Sequence, residues 1–371
     1  ITRATDGALK HATYGALGER VRRLASALAA LGLAPGEKVA TLAWNHQRHL
    51  ELYFAAPCMG AVIHTVNIRL SDEHLIHILN HAQDKVLCVD PDLWALAQRL
   101  APELQTVRQL IVLDDHLPAG SSSHRLCQSA RSYETLIAQG DPHSGFPELD
   151  EESAAGMCYT SATTGLPKGV LYSQRALYLH AMVLMMADVL AVSEHDTIMP
   201  VVPMFHANAW GLPYAATWAG AVQVLPGTHP RADDLLDLIA SQRVTLAAAA
   251  VTVGVDMLQC LRQRPRDLSS LRGLLLGGQA TPKAVMQEFW QRHGVKVCTA
   301  WGSTECAPIA TFGHVKRHQL DWSAEEQMDI WVRQGIPVPG ACIAVRDEKG
   351  CEVPWDDQRV GEVCARGPWI A

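Results

Sequence analysis

Between Tyr159 and Val170 the chain reads YTSATTGLPKGV: four Ser/Thr hydroxyls, two glycines, a proline and one lysine in twelve residues, directly after an apolar run. Two readings fit. Clusters of Ser, Thr and Gly make solvent-exposed turns. The same groups also let backbone N–H and side-chain O–H donors converge on an anion, with Lys168 supplying a point charge. The stretch is not the usual mononucleotide loop, which requires Gly-Lys-Ser/Thr, because Lys168 follows Pro167 and precedes Gly169.

Upstream, Leu17, Val21, Leu24, Leu28 and Leu31 fall at steps of four and three, one apolar helix face that Gly32 stops. PGEKVATLAW then reads as a turn and a buried strand, and the alternation continues. AVIHTVN is strand-like, SDEHLIHILNHA helix-like, and KVLCVD and QLIVLDD are again strands. Helices alternating with short β-branched runs predict a mostly parallel sheet with helices on its faces. LPAGSSSH, near Ser121, reads as a surface loop, and the polar QGDPHSGFPELDEES leads into the opening stretch. Downstream, AVQVLPG, VTLAAAAVTV, GLLLGGQA and VKVCTAWGSTE are strand-like runs ending in small residues, where α/β folds place ligands. From RQGIPVPGACIAVRDEKGCEVP onward, short Gly/Pro-punctuated strands suggest a small β unit. The organisation expected is α/β, with subdomains over 1–150, 151–330 (carrying the site) and 331–371 (a truncated β subdomain).

The 371 residues are 48% hydrophobic and 19% charged, enough for a large core and two or three subdomains. A net charge of -7 with no basic run gives no reason to expect nucleic acid. The ten cysteines are scattered without a C-x-x-C pair, which argues against zinc and redox motifs and for a reduced, cytoplasmic setting. No apolar run reaches the length of a membrane span, and no signal peptide is visible. The chain opens on Ile1 and stops at Ala371 within a strand-like pattern, which reads as a piece of a longer protein.

Four further stretches could carry chemistry, and each has a plainer alternative. In AWGSTECAP, Glu305 follows a buried strand and could hold Mg²⁺, or be a solvated rim carboxylate. Gly277 and Gly278 would let backbone approach a planar ligand, or simply close a tight turn. In VVPMFHANAWGLPY, His206 sits among Met204, Phe205 and Trp210, as a catalyst or as a satisfied core residue. His74, His77 and His81 could share a helix face and bind metal, but the segment supplies no cysteine partner.

The order of these motifs is more specific than any one of them. Tyr-Thr-Ser-x-Thr-Thr-Gly-x-Pro-Lys-Gly, Pro-x-Phe-His, Gly-Gly, aromatic-Gly-x-Thr-Glu and Gly-Glu-Val-x-x-Arg-Gly resemble the acyl-adenylate-forming enzymes over essentially the whole chain. AWNHQRHLELYFAAPCMGAVIHTVNIRLS and PMFHANAWGLPYAATWAGAVQVLPG look most like medium- and long-chain fatty acyl-CoA synthetases. The resemblance implies the large N-terminal domain of that fold: mostly parallel sheets flanked by helices plus a small β subdomain, with the C-terminal domain absent from this chain. It implies a triphosphate cradle over Thr160, Ser161, Thr163, Thr164, Gly165 and Lys168. Gly278, Gln279 and Ala280 would lie against adenine, with Trp301 stacking where the family usually has tyrosine. Gly302 and Ser303 complete that nucleotide wall, Thr304 would bind the α-phosphate, and Glu305 with Thr160 would hold Mg²⁺. His206 would sit beside the acyl carboxylate, with Met204, Phe205 and Trp210 around the acyl group. ATP, Mg²⁺ and coenzyme A are the implied co-substrates, a small carboxylic acid the partner, and a homodimer is compatible.

Two departures qualify the resemblance. The family's first loop glycine is Ala162, which puts loop flexibility in doubt. The chain also stops before the family's Thr-Gly-Asp segment, hinge and late lysine. The expected reaction is activation of a carboxylic acid by ATP to acyl-AMP and then acyl-CoA. Rival readings are an aryl, short-chain or thioether acid in the same superfamily, and a non-catalytic binder of nucleotide or acyl-adenylate.

Overall fold

The computed structural model describes residues 1–118, 124–160, 165–356 and 358–371. Its first sheet has seven strands in the spatial order Arg131–Ser132, Gln109–Val112, Val86–Val89, Lys38–Leu42, Val62–Thr65, Ala154–Tyr159 and Gly169–Ser173. All neighbours are parallel except the last pair, which is antiparallel. A second sheet, wholly parallel, runs Val222–Gln223, Thr197–Pro200, Leu246–Ala250, Gly273–Gly277 and Val297–Cys298.

Period-two burial explains how these sheets stack. In the first, Val39, Cys88 and Ile111 face one core while Ala40, Leu87 and Leu110 face another. In the second, Ile198, Leu246, Ala248 and Leu275 join that same first core, whereas Met199, Ala247, Ala249 and Leu274 turn the other way. Both sheets therefore bury one face in a shared central layer. That layer is filled by helices Tyr14–Ala30, Gln47–Cys58, Gln174–Met185 and Leu212–Ala219. Helices Asp72–Ala82 and Trp94–Leu100 cover the outside of the first sheet; Ala232–Ser241, Val251–Gln263 and Lys283–His293 cover the second. The result is the helix–sheet–helix–sheet–helix arrangement that two-sided apolar strands require.

The expected helix from Leu17 runs Tyr14–Ala30, N-capped by Thr13, whose hydroxyl accepts from the Ala16 N–H at 3.1 Å. The small VTLAAAAVTV stretch divides: Leu246–Ala250 is strand and Val251 begins a helix. VKVCTAWGSTE divides as well, because Val297–Cys298 ends the parallel sheet and Ala300–Gly302 opens an antiparallel one with Ile309–Phe312 and Ile336–Pro337. A last hairpin pairs Cys342–Arg346 with Glu362–Arg366. The sheets thus do not divide at 150 and 330. Ala154–Tyr159 and Gly169–Ser173 complete the first sheet, and antiparallel pairing begins at Ala300, because edge pairing and not linker composition sets these seams. The low-complexity patch at 119–123 lies outside the described residues.

A buried ion network ties two of the central helices to the short helix Tyr133–Ile137. Glu51, fully buried, accepts from Arg20 at 2.6 Å, Gln47 at 2.8 Å and the Tyr133 hydroxyl at 2.5 Å. Arg20 also reaches Glu134 at 2.8 Å, which Arg48 meets from the other side at 2.8 Å. Burial opposes ionisation of Glu134, yet the two guanidiniums outweigh it and lower its pKa. Removing one partner of such a pair leaves a buried charge unmet, a cost of about 3–5 kcal/mol that replacing both partners largely avoids. Arg20→Leu should therefore lower unfolding free energy by about 3 kcal/mol in urea titration, and Arg20→Leu/Glu51→Gln by clearly less. A single variant as stable as the parent would show the network to be incidental.

Candidate active site

Strand Gly273–Gly277 ends at Gly278, whose φ of 88° places it in the left-handed region that glycine tolerates. Next to it the chain crosses into the antiparallel sheet, where Trp301 pairs with Thr311 and a bulge follows at Gly302. A Cβ on Gly302 would stand 1.5 Å from the Pro308 carbonyl oxygen, so only glycine permits this close return of the chain. Between these two edges lies a cleft of about 440 Å³. It is lined by His206, Ala207, Trp210, Leu275, Gly277, Gly278, Gln279, Ala280, Ala300, Trp301, Gly302, Ser303, Thr304, Pro308, Ile309 and Gln334. The size suits a small ligand, and the position, beyond the carboxyl end of a parallel strand, is where α/β sheets bind them.

The structure thus gathers His206, Trp210, Gly278, Gln279, Ala280, Trp301, Gly302, Ser303 and Thr304 from segments far apart in the chain. Glu305 lies next along, solvent-exposed, with no ion pair among the described residues; its carbonyl accepts from the Ala371 N–H at 2.9 Å. Thr160, Gly165 and Lys168 do not line the cleft. Thr160 and Lys168 clasp each other instead: Thr160 N–H donates to the Lys168 carbonyl at 2.9 Å, and Lys168 N–H to the Thr160 hydroxyl at 3.3 Å. Ser161, Ala162, Thr163 and Thr164 lie outside the described residues. The strand leaving that loop is nonetheless tied to the cleft, since the Tyr172 hydroxyl donates to the Thr304 carbonyl at 2.6 Å.

Met204 and Phe205, expected in the acyl wall, lie outside this cleft. They are core residues, buried to 0% and 4% exposure, and neither lines the cleft. Asn45 and Tyr53 hold Met204 by its backbone: Asn45 Oδ1 accepts from its N–H at 2.7 Å, and the Tyr53 hydroxyl donates to its carbonyl. The histidine triad is not a metal site either. His77 and His81 stack at 5.5 Å, and His81 bonds the Tyr159 hydroxyl at 2.7 Å. Among the described residues no cluster of three or more metal-ligating side chains occurs. Glu305 offers an isolated carboxylate of the kind that can hold Mg²⁺ together with phosphate and water.

Sequence reading missed the backbone that presents His206 and Trp210. Ala207, Asn208, Ala209 and Trp210 all have positive φ, between 42° and 56°, and Gly211 follows at 75°. Non-glycine residues in this conformation cost about 1–2 kcal/mol each. The turn persists because its surroundings are shaped to it. The Trp210 ring fills the space where a Gly277 Cβ would come to 2.8 Å, and a Gly211 Cβ would come to 2.5 Å from His180. The only signals for it in sequence were Gly211 and Gly277.

His180 is buried, and its Nε2 accepts from the Ile309 N–H at 3.3 Å, so its proton resides on Nδ1. Burial pushes its pKa from 6.5 down to about 3. His206 opens to solvent, but the protein wall around it, and secondarily Arg69, lower its pKa and keep the ring neutral.

The chain belongs to the AMP-binding enzyme family, whose profile it matches over residues 2–371. It is 44% identical over 370 residues to a long-chain-fatty-acid–CoA ligase of Thermus thermophilus, covering 100% of this chain and 66% of that protein. It is 38% identical over 367 residues to a 3-methylmercaptopropionyl-CoA ligase of Ruegeria pomeroyi, covering 99% and 68%. A medium-chain-fatty-acid–CoA ligase of Ectopseudomonas oleovorans is 38% identical over 366 residues, covering 99% and 66%. The chain thus spans about two thirds of the length of these relatives. Its fold matches the crystal structure of an anthranilate CoA ligase in complex with anthranoyl-AMP, with a TM-score of 0.86 at 22% identity, over 100% of this chain and 67% of that one.

The buried imidazole makes the site's stability pH-dependent. The unfolded chain takes up a proton at His180 below pH 6.5 that the folded chain refuses until about pH 3. Stability from this group is complete above pH 6.5 and falls as pH drops through that window, by up to about 1.4 kcal/mol per pH unit. His180→Gln, which keeps an acceptor for Ile309 but cannot protonate, should flatten the loss of unfolding free energy between pH 6.5 and 5. Parallel slopes for parent and variant would refute a neutral buried His180.

Proposed function

We propose that the cleft between Gly278–Ala280 and Trp301–Thr304 holds the adenine and α-phosphate of ATP, where a carboxylate attacks the α-phosphorus and expels pyrophosphate to give an acyl-AMP. Coenzyme A thiol then displaces AMP to give an acyl-CoA. The observation that carries this reading is the convergence of Gly278–Ala280, Trp301, Ser303, Thr304 and His206 on one pocket. Trp301 offers a face for a base, Ser303 and Thr304 offer donors for a phosphate, and His206 is the group proposed to meet the carboxylate. Family membership and the activities of the relatives named above support the same chemistry.

The first step brings a carboxylate anion to a polyanion, so repulsion must be offset where charge moves. A magnesium ion, when bound, supplies charge neutralisation on phosphate oxygens, and Glu305 is the residue proposed to hold it. Lys168 brings the loop's one cation, and Thr160 anchors it through their mutual hydrogen bonds. A neutral His206 can donate a hydrogen bond to the acid without fixing it as an ion pair. Trp210, 8% exposed and packed against Gly277, lines the cleft and in this reading helps keep water from the mixed anhydride.

For the acid we favour a medium- or long-chain fatty acid, as in two of the relatives above. A thioether-bearing acid is the second reading, supported by the 38% identity to a 3-methylmercaptopropionyl-CoA ligase. Each buried CH₂ contributes about 0.8 kcal/mol, so a tail-binding pocket selects chain length only in modest steps. A cytoplasmic setting fits ten unpaired cysteines. Among the described residues no helix is long and apolar enough to cross a membrane.

A pyrophosphate-exchange screen across straight-chain, thioether and aryl acids tests the substrate directly, with straight chains of medium length or more expected to be fastest. Trp210→Ala should reorder acid preference and leave AMP affinity nearly unchanged; lost AMP affinity with fixed preference would put Trp210 on the nucleotide side. Lys168→Ala should weaken ATP binding far more than AMP binding, because the lysine is proposed to face the departing pyrophosphate. Glu305→Gln should keep the fold and lower magnesium-dependent exchange by roughly 10²-fold or more. Exchange at the parental rate would remove Glu305 from the chemistry.

A further inference from the structure

Among the side chains facing the cleft, Gln334 has been given no role, yet its surroundings hold it unusually firmly. Its own carbonyl accepts from the Thr311 hydroxyl, and Thr311 is the strand partner of Trp301. The preceding carbonyl, of Arg333, accepts from the Thr299 hydroxyl at 2.9 Å. The following residue, Gly335, has φ 85°, and a Cβ there would lie 2.1 Å from the Phe312 carbonyl. Three consecutive residues are therefore pinned to the antiparallel sheet behind Trp301. The side-chain amide is the part left over. It makes no hydrogen bond among the described residues, and Gln334 borders the cleft.

An amide on a fixed backbone that spends none of its donors or acceptor internally is suited to reading a ligand. The Gly278–Ala280 edge opposite presents mainly backbone, and Gln279 there is solvent-exposed, whereas Gln334 is half-buried. Glutamine presents a donor and an acceptor side by side, which matches the 6-amino group of adenine and its adjacent ring nitrogen. A purine lacking the amine offers only the acceptor half of that pair.

We propose that Gln334 is a specificity-determining residue that recognises the amine-bearing edge of adenine. The inference rests on the reading of the cleft as a nucleotide site. It does not depend on the identity of the acid.

The test is equilibrium binding of AMP and of purine riboside 5′-monophosphate, which lacks the 6-amino group, to the parent chain and to Gln334→Ala. Loss of the pair should weaken AMP binding about 5- to 50-fold. Binding of the amine-free analogue should weaken less than that of AMP, by about 2- to 7-fold, because only one hydrogen bond, to the ring nitrogen, is then lost. Gln334→Glu, which keeps the acceptor and loses the donor, should retain part of the preference for AMP. Since the amide has no internal partner, melting temperatures should match the parent. Unchanged AMP affinity in Gln334→Ala overturns the proposal, as does an equal loss for both ligands. If the parent binds neither nucleotide, the nucleotide reading of the cleft itself is what fails.

Discussion

The cleft depends on one junction. Thr299 alone separates Val297–Cys298, the last strand of the parallel sheet, from Ala300–Gly302, the first of the antiparallel one. Its hydroxyl lies within hydrogen-bonding distance of the Trp331 and Arg333 carbonyls, at 3.0 and 2.9 Å, and its carbonyl accepts from the Gly313 N–H at 2.9 Å. The fit allows no side chain opposite: a Gly313 Cβ would sit 2.2 Å from the Thr299 hydroxyl oxygen. Because the chain leaves one sheet and enters the other at this point, the loop after Gly277 and the bulge at Gly302 face each other. A straight continuation would have left both edges on one sheet with nothing between them.

The opposing wall is made by strain. Four non-glycine residues in the left-handed region, Ala207 to Trp210, together store several kcal/mol by the usual per-residue cost. That energy is offset by packing: Asn208 lies over Gly156 and accepts from Cys158, Trp210 fills the hollow at Gly277, and Ala207 and Ala209 are buried. Strain held this way marks a segment whose geometry the fold over-determines. Here the segment also bridges the sheets, because Asn208 touches the first sheet while Trp210 touches the second. The two halves of the molecule therefore meet through the residues that border the site.

Polarity is distributed accordingly. The permanent ion pairs are structural and lie away from the cleft, as in the Arg20, Glu51, Arg48 and Glu134 network. The cleft itself holds a neutral imidazole, hydroxyls, amides and an indole. A site that must accept a polyanion and an acid is better served by such groups, which adapt to charge arriving with the ligand, than by fixed ions already paired. The roomier hollow of about 930 Å³ beside Tyr53, Leu177 and Trp218 is largely apolar and has no comparable set of convergent groups.

Much of the fold was legible along the chain because burial has a period. Leu17 to Leu31 announced a helix, and Lys38–Leu42, Val86–Val89 and Gln109–Val112 announced parallel strands, since their apolar residues had to face a core on both sides. The ordered motifs likewise marked Gly278, Trp301, Thr304 and His206 as partners before any geometry was available. What the sequence could not determine was which edges meet. Strand pairing carried Ala154–Tyr159 and Gly169–Ser173 back into the first sheet, and the break at Thr299 turned one strand-like run into two sheets. Met204 and Phe205 are buried in the core and lie outside the cleft, while Tyr172 and His180, which carried no motif, hold the backbone of the cleft residues Thr304 and Ile309, and Gln334 lines the cleft itself. Periodicity is a local property of the chain, whereas a left-handed turn, a carbonyl pinned by a distant hydroxyl or an amide left without a partner exists only once remote segments have packed together.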